Sequence, residues 1–208
     1  MRALFRAVLL LVGVAIFAGG VAAYAIASRG LSTRVAPTAV EASVALAMRT
    51  LATPRVVRAA VNPVESSPDV LEDGLAHFAD HCATCHANNG SGDTEMGRSF
   101  YPPAPDMRAA RTQALSDGEL FSIIEHGIRL TGMPAWGNGT PEGERGSWGL
   151  VHFIRHLPSL TADDVARMEA MNPRSPQAFR DEEEARRFLA GDDAAGALVP
   201  AASHAGHK

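Results

Sequence analysis

The stretch Cys82-Ala83-Thr84-Cys85-His86 decides how the rest of this 208-residue chain is interpreted. Its pattern, C-x-x-C-H, is typical of covalent c-type haem attachment. Two thiols at this spacing can reach the two vinyl groups along one porphyrin edge while the next side chain turns under the iron. The pattern predicts that Cys82 and Cys85 form thioethers and that His86 is the proximal iron ligand. One covalent haem c is therefore the expected cofactor.

A C-x-x-C pair can also be a redox dithiol or half of a zinc site. A thioredoxin-like dithiol is expected within a βαβ pattern, and a structural zinc site needs a second pair of ligands at a similar spacing. Neither pattern surrounds these two cysteines, which are the only ones in the chain. Haem attachment is therefore the stronger interpretation, and it leaves no cysteine for a structural disulfide.

The N-terminal segment, residues 1–29, is predicted to be a membrane anchor. Residues 7–28 carry no charge, and a helix of that length extends about 33 Å, enough to cross a bilayer core of about 30 Å. Arg2 and Arg6 precede the apolar run, so the positive-inside rule places the N-terminus in the cytoplasm.

A cleavable signal peptide is the alternative for the same segment. Ala23-Tyr24-Ala25 or Ala25-Ile26-Ala27 offers the small residues that a signal peptidase requires. Both interpretations export the rest of the chain. We therefore expect the protein at the inner, cytoplasmic membrane, with its haem domain facing the periplasm.

Between the anchor and the motif the sequence predicts a linker over residues 30–68. Prolines interrupt this stretch, and Ala39 to Leu51 is a weakly amphipathic helix candidate within it. From about Ser67 a helix is expected to run to Cys82. Gly74 and Phe78 lie four residues apart on one face of that helix, which suggests a close crossing with another helix.

Two further helices are predicted within a haem domain at residues 69–158. The first runs from Ser116, with Glu119 as its capping-box partner, to Gly127. The second is expected from about Ser147 to Leu157. Between the motif and these helices lies the proline-rich stretch 101–107, which is too proline-dense for a helix or a central strand. Such a stretch makes sense if it wraps a flat apolar cofactor.

Met133 is the predicted second axial ligand of the iron. It follows His86 by 47 residues in a loop between two predicted helices, and Gly132 and Pro134 restrict the backbone on either side. A methionine taken alone is more often a core residue than a ligand. The weaker alternatives are Met96, Met107, Met168, Met171 and, for a bis-histidine site, His126.

In their order along the chain, these motifs resemble a bacterial class I cytochrome c domain, of the monohaem kind similar to the third subunit of cbb3-type oxidases. The resemblance covers about residues 70–158 and does not extend to the long flanking segments. It implies an all-α fold around the haem, in which the first and last helices cross near Gly74, Phe78 and the 148–154 face. It also implies that a proline carbonyl within 102–105 accepts the Nδ1 proton of the proximal histidine.

The expected function is periplasmic one-electron transfer, without enzymatic activity. His/Met ligation leaves no iron position for a substrate, and no constellation of catalytic acids and bases stands out. The expected partners are redox proteins, namely an oxidase, a quinol-oxidising complex or a dehydrogenase. Nucleic acid is not expected, because residues 71–158 carry six arginines against eleven acids. The alternatives are a peroxidase-like haem enzyme or ligand sensor with an open distal site, or a fixed subunit of a respiratory complex.

The C-terminal extension, residues 159–208, is predicted to be partly helical. One helix is expected to start near Thr161 and a second to run from Pro176 to Leu189. The terminal tail contains His204 and His207, which could bind copper or zinc weakly. Its composition favours a disordered tail instead.

Overall fold

The structure is a computed structural model, and it describes residues 2–30, 32–174 and 176–190. These residues form helices and connecting loops, with no strand in the described ranges, which confirms the predicted all-α fold class. The chain divides into two compact units, the first ending at Met171 and the second beginning at Asn172. His204 and His207 lie outside the described residues.

The helices of the first unit, in chain order, start with an N-terminal group. These are α1 (Arg2–Arg29), α2 (Ala39–Ala52) and α3 (Arg55–Arg58). Within α1, the run Leu4–Ala25 is long and apolar enough to span a membrane, and none of it is buried against the rest of the chain. A signal sequence meets the same criterion of length and composition. The anchor and signal-peptide interpretations of residues 1–29 therefore both remain.

The chain then enters one nearly continuous helical stretch that carries the C-x-x-C-H motif. It consists of α4 (Pro68–His77), a π-helical turn (Phe78–Cys82) and α5 (Ala83–His86). Ser67 starts it, because its side chain accepts a hydrogen bond from the amide of Val70 and Pro68 follows at the first helical position. The predicted helix leading to Cys82 is confirmed. The change to a π-helical turn that ends at the first cysteine of the motif has no signal in the sequence.

The remaining elements of the first unit surround this stretch. They are α6 (Glu95–Ser99), α7 (Ala110–Gln113), α8 (Asp117–His126), α9 (Pro141–His156), a 3₁₀ turn (Leu157–Ser159) and α10 (Ala162–Met171). The predicted capping box of α8 is present, since Ser116 accepts from the Glu119 amide and the Glu119 side chain accepts from the Ser116 amide. The described part of the second unit contains α11 (Pro176–Leu189).

The predicted start of α9 near Ser147 is wrong, because the helix begins at Pro141. Thr140 caps it by accepting a hydrogen bond from the Gly143 amide, Pro141 occupies the first helical position, and Glu142 suits the positive helix N-terminus. The cap and the proline start the helix at this point, although the glycines in its first turns suggest a loop.

The core of the first unit is the crossing of α4 and α9. A Cβ added to Gly74 would lie 2.7 Å from the Cβ of Phe153, so only glycine permits this approach. Phe78 is fully buried, and its ring centroid lies 5.3 Å from that of Phe153. The close crossing predicted at Gly74 and Phe78 is confirmed.

Two further contacts tie neighbouring elements to this crossing. The rings of Phe121 on α8 and Trp148 on α9 stack with centroids 4.1 Å apart. The Arg155 guanidinium on α9 donates to the Asp117 carboxylate at 2.7 Å and to the Gln113 carbonyl at 2.7 Å. Helix α9 therefore fixes α8 both by an apolar and by a polar contact.

Candidate cofactor site

The two cysteines lie at the end of the motif-bearing helix and form no disulfide. Burial, assisted by the neighbouring Cys85, raises the pKa of the Cys82 thiol to about 12. Burial also raises the pKa of the Cys85 thiol. A redox dithiol needs a lowered thiol pKa, so this environment does not suit that alternative. Reduced, protonated thiols suit covalent attachment of a cofactor.

The His86 ring has the environment of a neutral imidazole. Burial lowers the pKa of His86, and the nearby main-chain carbonyl of Pro105 acts in the opposite direction with a smaller effect. The Nδ1 atom is buried and has no hydrogen-bond partner at standard hydrogen-bond geometry. Pro105 lies within the 102–105 range that the family resemblance implied for the carbonyl partner. A neutral histidine oriented through Nδ1 leaves Nε2 available to a metal.

The loop after the motif folds back over it through main-chain hydrogen bonds. The Gly92 amide donates to the His86 carbonyl at 2.8 Å, and the Thr94 hydroxyl donates to the Cys85 carbonyl at 3.2 Å. Further along, the Ala104 amide donates to the Gly97 carbonyl at 2.9 Å. These bonds hold the proline-rich stretch beside the motif without regular secondary structure, as the sequence predicts.

Met133 lies half-buried in the loop that connects α8 to α9. Its carbonyl accepts from the Ile128 amide at 3.1 Å, and its amide donates to the Thr131 hydroxyl at 3.1 Å. After the methionine, the Trp136 amide donates to the Ile124 carbonyl at 2.9 Å. A free carbonyl at the end of α8 thus holds the loop after Met133, and the bonds to Ile128 and Thr131 hold Met133 itself.

Two side-chain contacts bring this loop to the motif. The ring of Trp136 meets that of His81 edge to face, with centroids 5.4 Å apart, directly before Cys82. The ring of Phe100, next to the proline-rich stretch, packs against Gly132 so closely that a side chain there would clash with it. The loop that carries Met133 is therefore packed against both segments that flank the haem-binding histidine predicted from the sequence.

The alternative ligands are differently placed. Met168 is fully buried in α10, and Met107 packs against the hydrophobic core. Met96 and Met171 are exposed, as is His126 at the end of α8.

One buried group near this loop was not predicted from the sequence. Glu125 on α8 is 8% exposed, and its Oε1 atom has no hydrogen-bond partner. Its Oε2 atom lies where a side chain at position 137 would be, so Gly137 makes room for the carboxylate. The only signal was a glycine after Trp136, which is equally compatible with an ordinary turn.

Residues 69–154 match the family model described as cytochrome c oxidase, cbb3-type, subunit III. These residues therefore form a class I cytochrome c domain, as the fold and the motif indicate. Within that class the domain is of the cbb3 type, which confirms the resemblance found in the sequence. A cytochrome c domain implies haem binding and haem-based electron transfer. No curated protein matches the chain significantly.

Proposed function

We propose that this chain is a membrane-tethered periplasmic electron carrier with one covalent haem c. Cys82 and Cys85 would attach the haem, and His86 and Met133 would hold its iron. The observation that supports this most directly is the buried Nδ1 atom of His86 beside the Pro105 carbonyl, in a C-x-x-C-H motif of a cytochrome c domain. That environment suits a histidine whose other nitrogen binds iron.

The chain's own residues would hold the cofactor and keep its surroundings fixed. When bound, a haem supplies a reversible one-electron couple. The thioether of Met133 is a soft ligand that raises the reduction potential relative to harder ligands. The hydrogen bonds of Ile128, Thr131 and Trp136 hold the Met133 loop in place. A fixed ligand loop favours a carrier, because the two oxidation states then need little rearrangement of the protein.

A carrier is favoured over an enzyme because Met133 would occupy the second axial position. No iron position then remains for a substrate or a gaseous ligand. The enzyme or sensor alternative requires that this methionine be absent from the iron or easily displaced.

The membrane tether rests on α1, whose run Leu4–Ala25 is fully exposed and apolar. Such a helix anchors the protein in the inner membrane if it is not cleaved, and the cytochrome c domain then faces the periplasm. The partners we propose are an oxidase, a quinol-oxidising complex or a dehydrogenase. Because the family takes its description from an oxidase subunit, a fixed place in a respiratory complex is the second candidate. Co-purification with an oxidase after mild detergent extraction would favour it.

The test of the haem site compares visible spectra of the wild type and the Met133→Ala variant, made in a host with c-type maturation. We expect a low-spin wild type that does not bind carbon monoxide. Loss of the thioether ligand should give a variant that binds carbon monoxide and has a lower reduction potential.

Two methionine variants control for nonspecific effects. Met96→Ala removes an exposed methionine and Met107→Leu removes a core methionine, and both should keep the wild-type spectrum. A high-spin wild type, or one that binds carbon monoxide readily, would contradict the carrier and support the enzyme or sensor.

A further inference from the structure

We infer that helix α2 lies flat on the periplasmic surface of the membrane that α1 crosses, and that it holds the cytochrome domain close to that surface. This inference rests on the proposed anchoring of the chain by α1. It gives a role to an apolar face of α2 that no described residue of the first unit covers.

The face consists of four apolar side chains on one side of α2. At 100° per residue they fall within an arc of about 80°. All of them are exposed: Val40 (72%), Val44 (52%), Met48 (64%) and Leu51 (85%). The partly buried positions lie on the opposite side of the helix, at Ala42, Leu46, Arg49 and Thr53. The apolar stripe therefore faces away from the rest of the unit.

The helix is encoded locally and does not depend on contacts along this stripe. Thr38 and Glu41 form a capping box at its start. At its end, the Thr53 hydroxyl donates to the Arg49 carbonyl at 2.8 Å. An amphipathic helix with locally encoded ends and an uncovered apolar side is typical of a helix at a lipid interface.

Position and charge identify the bilayer as the surface that covers the stripe. Helix α2 begins ten residues after the end of α1 at Arg29, so it starts close to the membrane. Between residues 32 and 58 the chain has four arginines and one acidic residue, Glu41. Basic juxtamembrane segments are attracted to anionic headgroups.

The chain after α2 is packed against the cytochrome domain, so a helix α2 on the membrane also places the domain close to the membrane. Only Thr53 and Pro54 separate α2 from α3, which packs against α8 through contact between Val57 and Gly118. Beyond α3, the Asn62 side chain donates to the Trp148 carbonyl at 2.9 Å on α9.

A second bond nearby joins the His152 ring to the Val64 carbonyl at 2.7 Å. The segment between α2 and α4 is therefore docked on the domain. With α2 on the lipid surface, electron exchange is directed to partners that lie in or on the same membrane.

The test places spin labels on full-length holoprotein in nanodiscs that contain phosphatidylglycerol. In the holoprotein both native cysteines are used in thioethers, so a label reacts with one introduced cysteine. Val44→Cys and Met48→Cys report on the stripe, and Thr50→Cys reports on an exposed position away from it. Val14→Cys reports on α1. The measurement is the ratio of collisions with oxygen to collisions with a water-soluble nickel chelate.

We expect a ratio several-fold higher at positions 14, 44 and 48 than at position 50. A lipid-like ratio at position 14 with a water-like ratio at 44 and 48 would overturn the inference and leave the anchor intact. Low access to both reagents at 44 and 48 would also overturn it, since a protein surface would then cover the stripe. A water-like ratio at position 14 would reject both the anchor and the inference, while the spectra of Met133→Ala would still test the haem site.

Discussion

The crossing of α4 and α9 and the loops around His86 are packed in different ways. At the crossing, Phe78, Val151 and Phe153 are buried almost completely by the chain itself. On the loop side, main-chain hydrogen bonds hold the segments, and the Nδ1 of His86 and the Oε1 of Glu125 are buried without a partner. The protein fills the first region with its own side chains, whereas the second is held by main-chain hydrogen bonds around the residues predicted to bind the cofactor.

The largest expected effect concerns the loop side. The double substitution of Cys82 and Cys85 by serine should abolish covalent haem attachment and sharply reduce the yield of folded protein. A domain of this size has a small core, and a covalent cofactor would add to it. Haem staining of a denaturing gel measures the covalent cofactor. Retention of stain by the double variant would refute the proposed attachment, and Met96→Leu serves as a control that should stain like the wild type.

The next effect tests the crossing. Gly74→Val should lower the free energy of unfolding by about 3 kcal/mol or prevent folding, because its side chain would overlap Phe153. Gly146→Ala is the matched control in α9, where an added Cβ meets nothing within 4 Å, and it should stabilise by about 0.5–1 kcal/mol. Chemical denaturation followed by circular dichroism measures both. Equal effects of the two substitutions would mean that the crossing is not close-packed.

A smaller effect is expected for the polar contact between α9 and α8. Arg155→Met should cost about 2 kcal/mol, because it leaves the partly buried Asp117 carboxylate and the Gln113 carbonyl without their donor. Arg98→Met breaks an exposed ion pair with Asp93 and should change stability by less than about 0.5 kcal/mol. The same denaturation series compares them. If both substitutions had similarly small effects, the Arg155 contact would not contribute to packing α8 on α9.

The smallest effect is a pH dependence at His77 on α4. Burial lowers the pKa of His77 from its usual 6.5, the neighbouring His81 adds to the shift, and Asp80 opposes it. The unfolded chain therefore takes up this proton at a higher pH than the folded protein, so stability is lost as pH falls below 6.5. His77→Asn should reduce the stability difference between about pH 7.5 and pH 5. His81→Asn should reduce it less, because burial is the larger cause.

Urea denaturation at the two pH values measures these differences. An unchanged difference in the His77→Asn variant would show that the loss of stability in acid comes from other groups.

Helical segments were predictable where periodicity and caps agree, as at Ser116 and Glu119 in α8 and at Gly74 and Phe78 in α4. In α8 and α4 the local sequence signals predicted the helices, and the residues that pack in the folded protein are the ones that the helical periodicity places on one face. The early start of α9 was missed because the glycines that follow Thr140 weighed against helix. At this position the cap predicts a helix start and the glycines predict a loop, and the structure has the helix.

Prediction of the candidate site from the sequence was more limited. The motif Cys82–His86 has a fixed chemical spacing, whereas the choice of Met133 as a ligand stays a prediction. The arrangement of Pro105, Glu125 and the contact between His81 and Trp136 depends on how loops fold against each other. Residues distant in sequence meet there without periodicity, so no local pattern encodes them.

The hydrogen bonds of the segment at Asn62 and Val64 also have a mechanical consequence. They join this segment to α9 at Trp148 and His152, and they lie between the N-terminal helices and the haem-side loops. A pulling force that enters through α1 and α2 therefore reaches α3, which packs against α8, and then these bonds to α9. The Met133 loop and the segment around His86 are attached downstream of these bonds. A force on the N-terminal helices is thus applied to α8 and α9 before it reaches the segment around His86 along the chain.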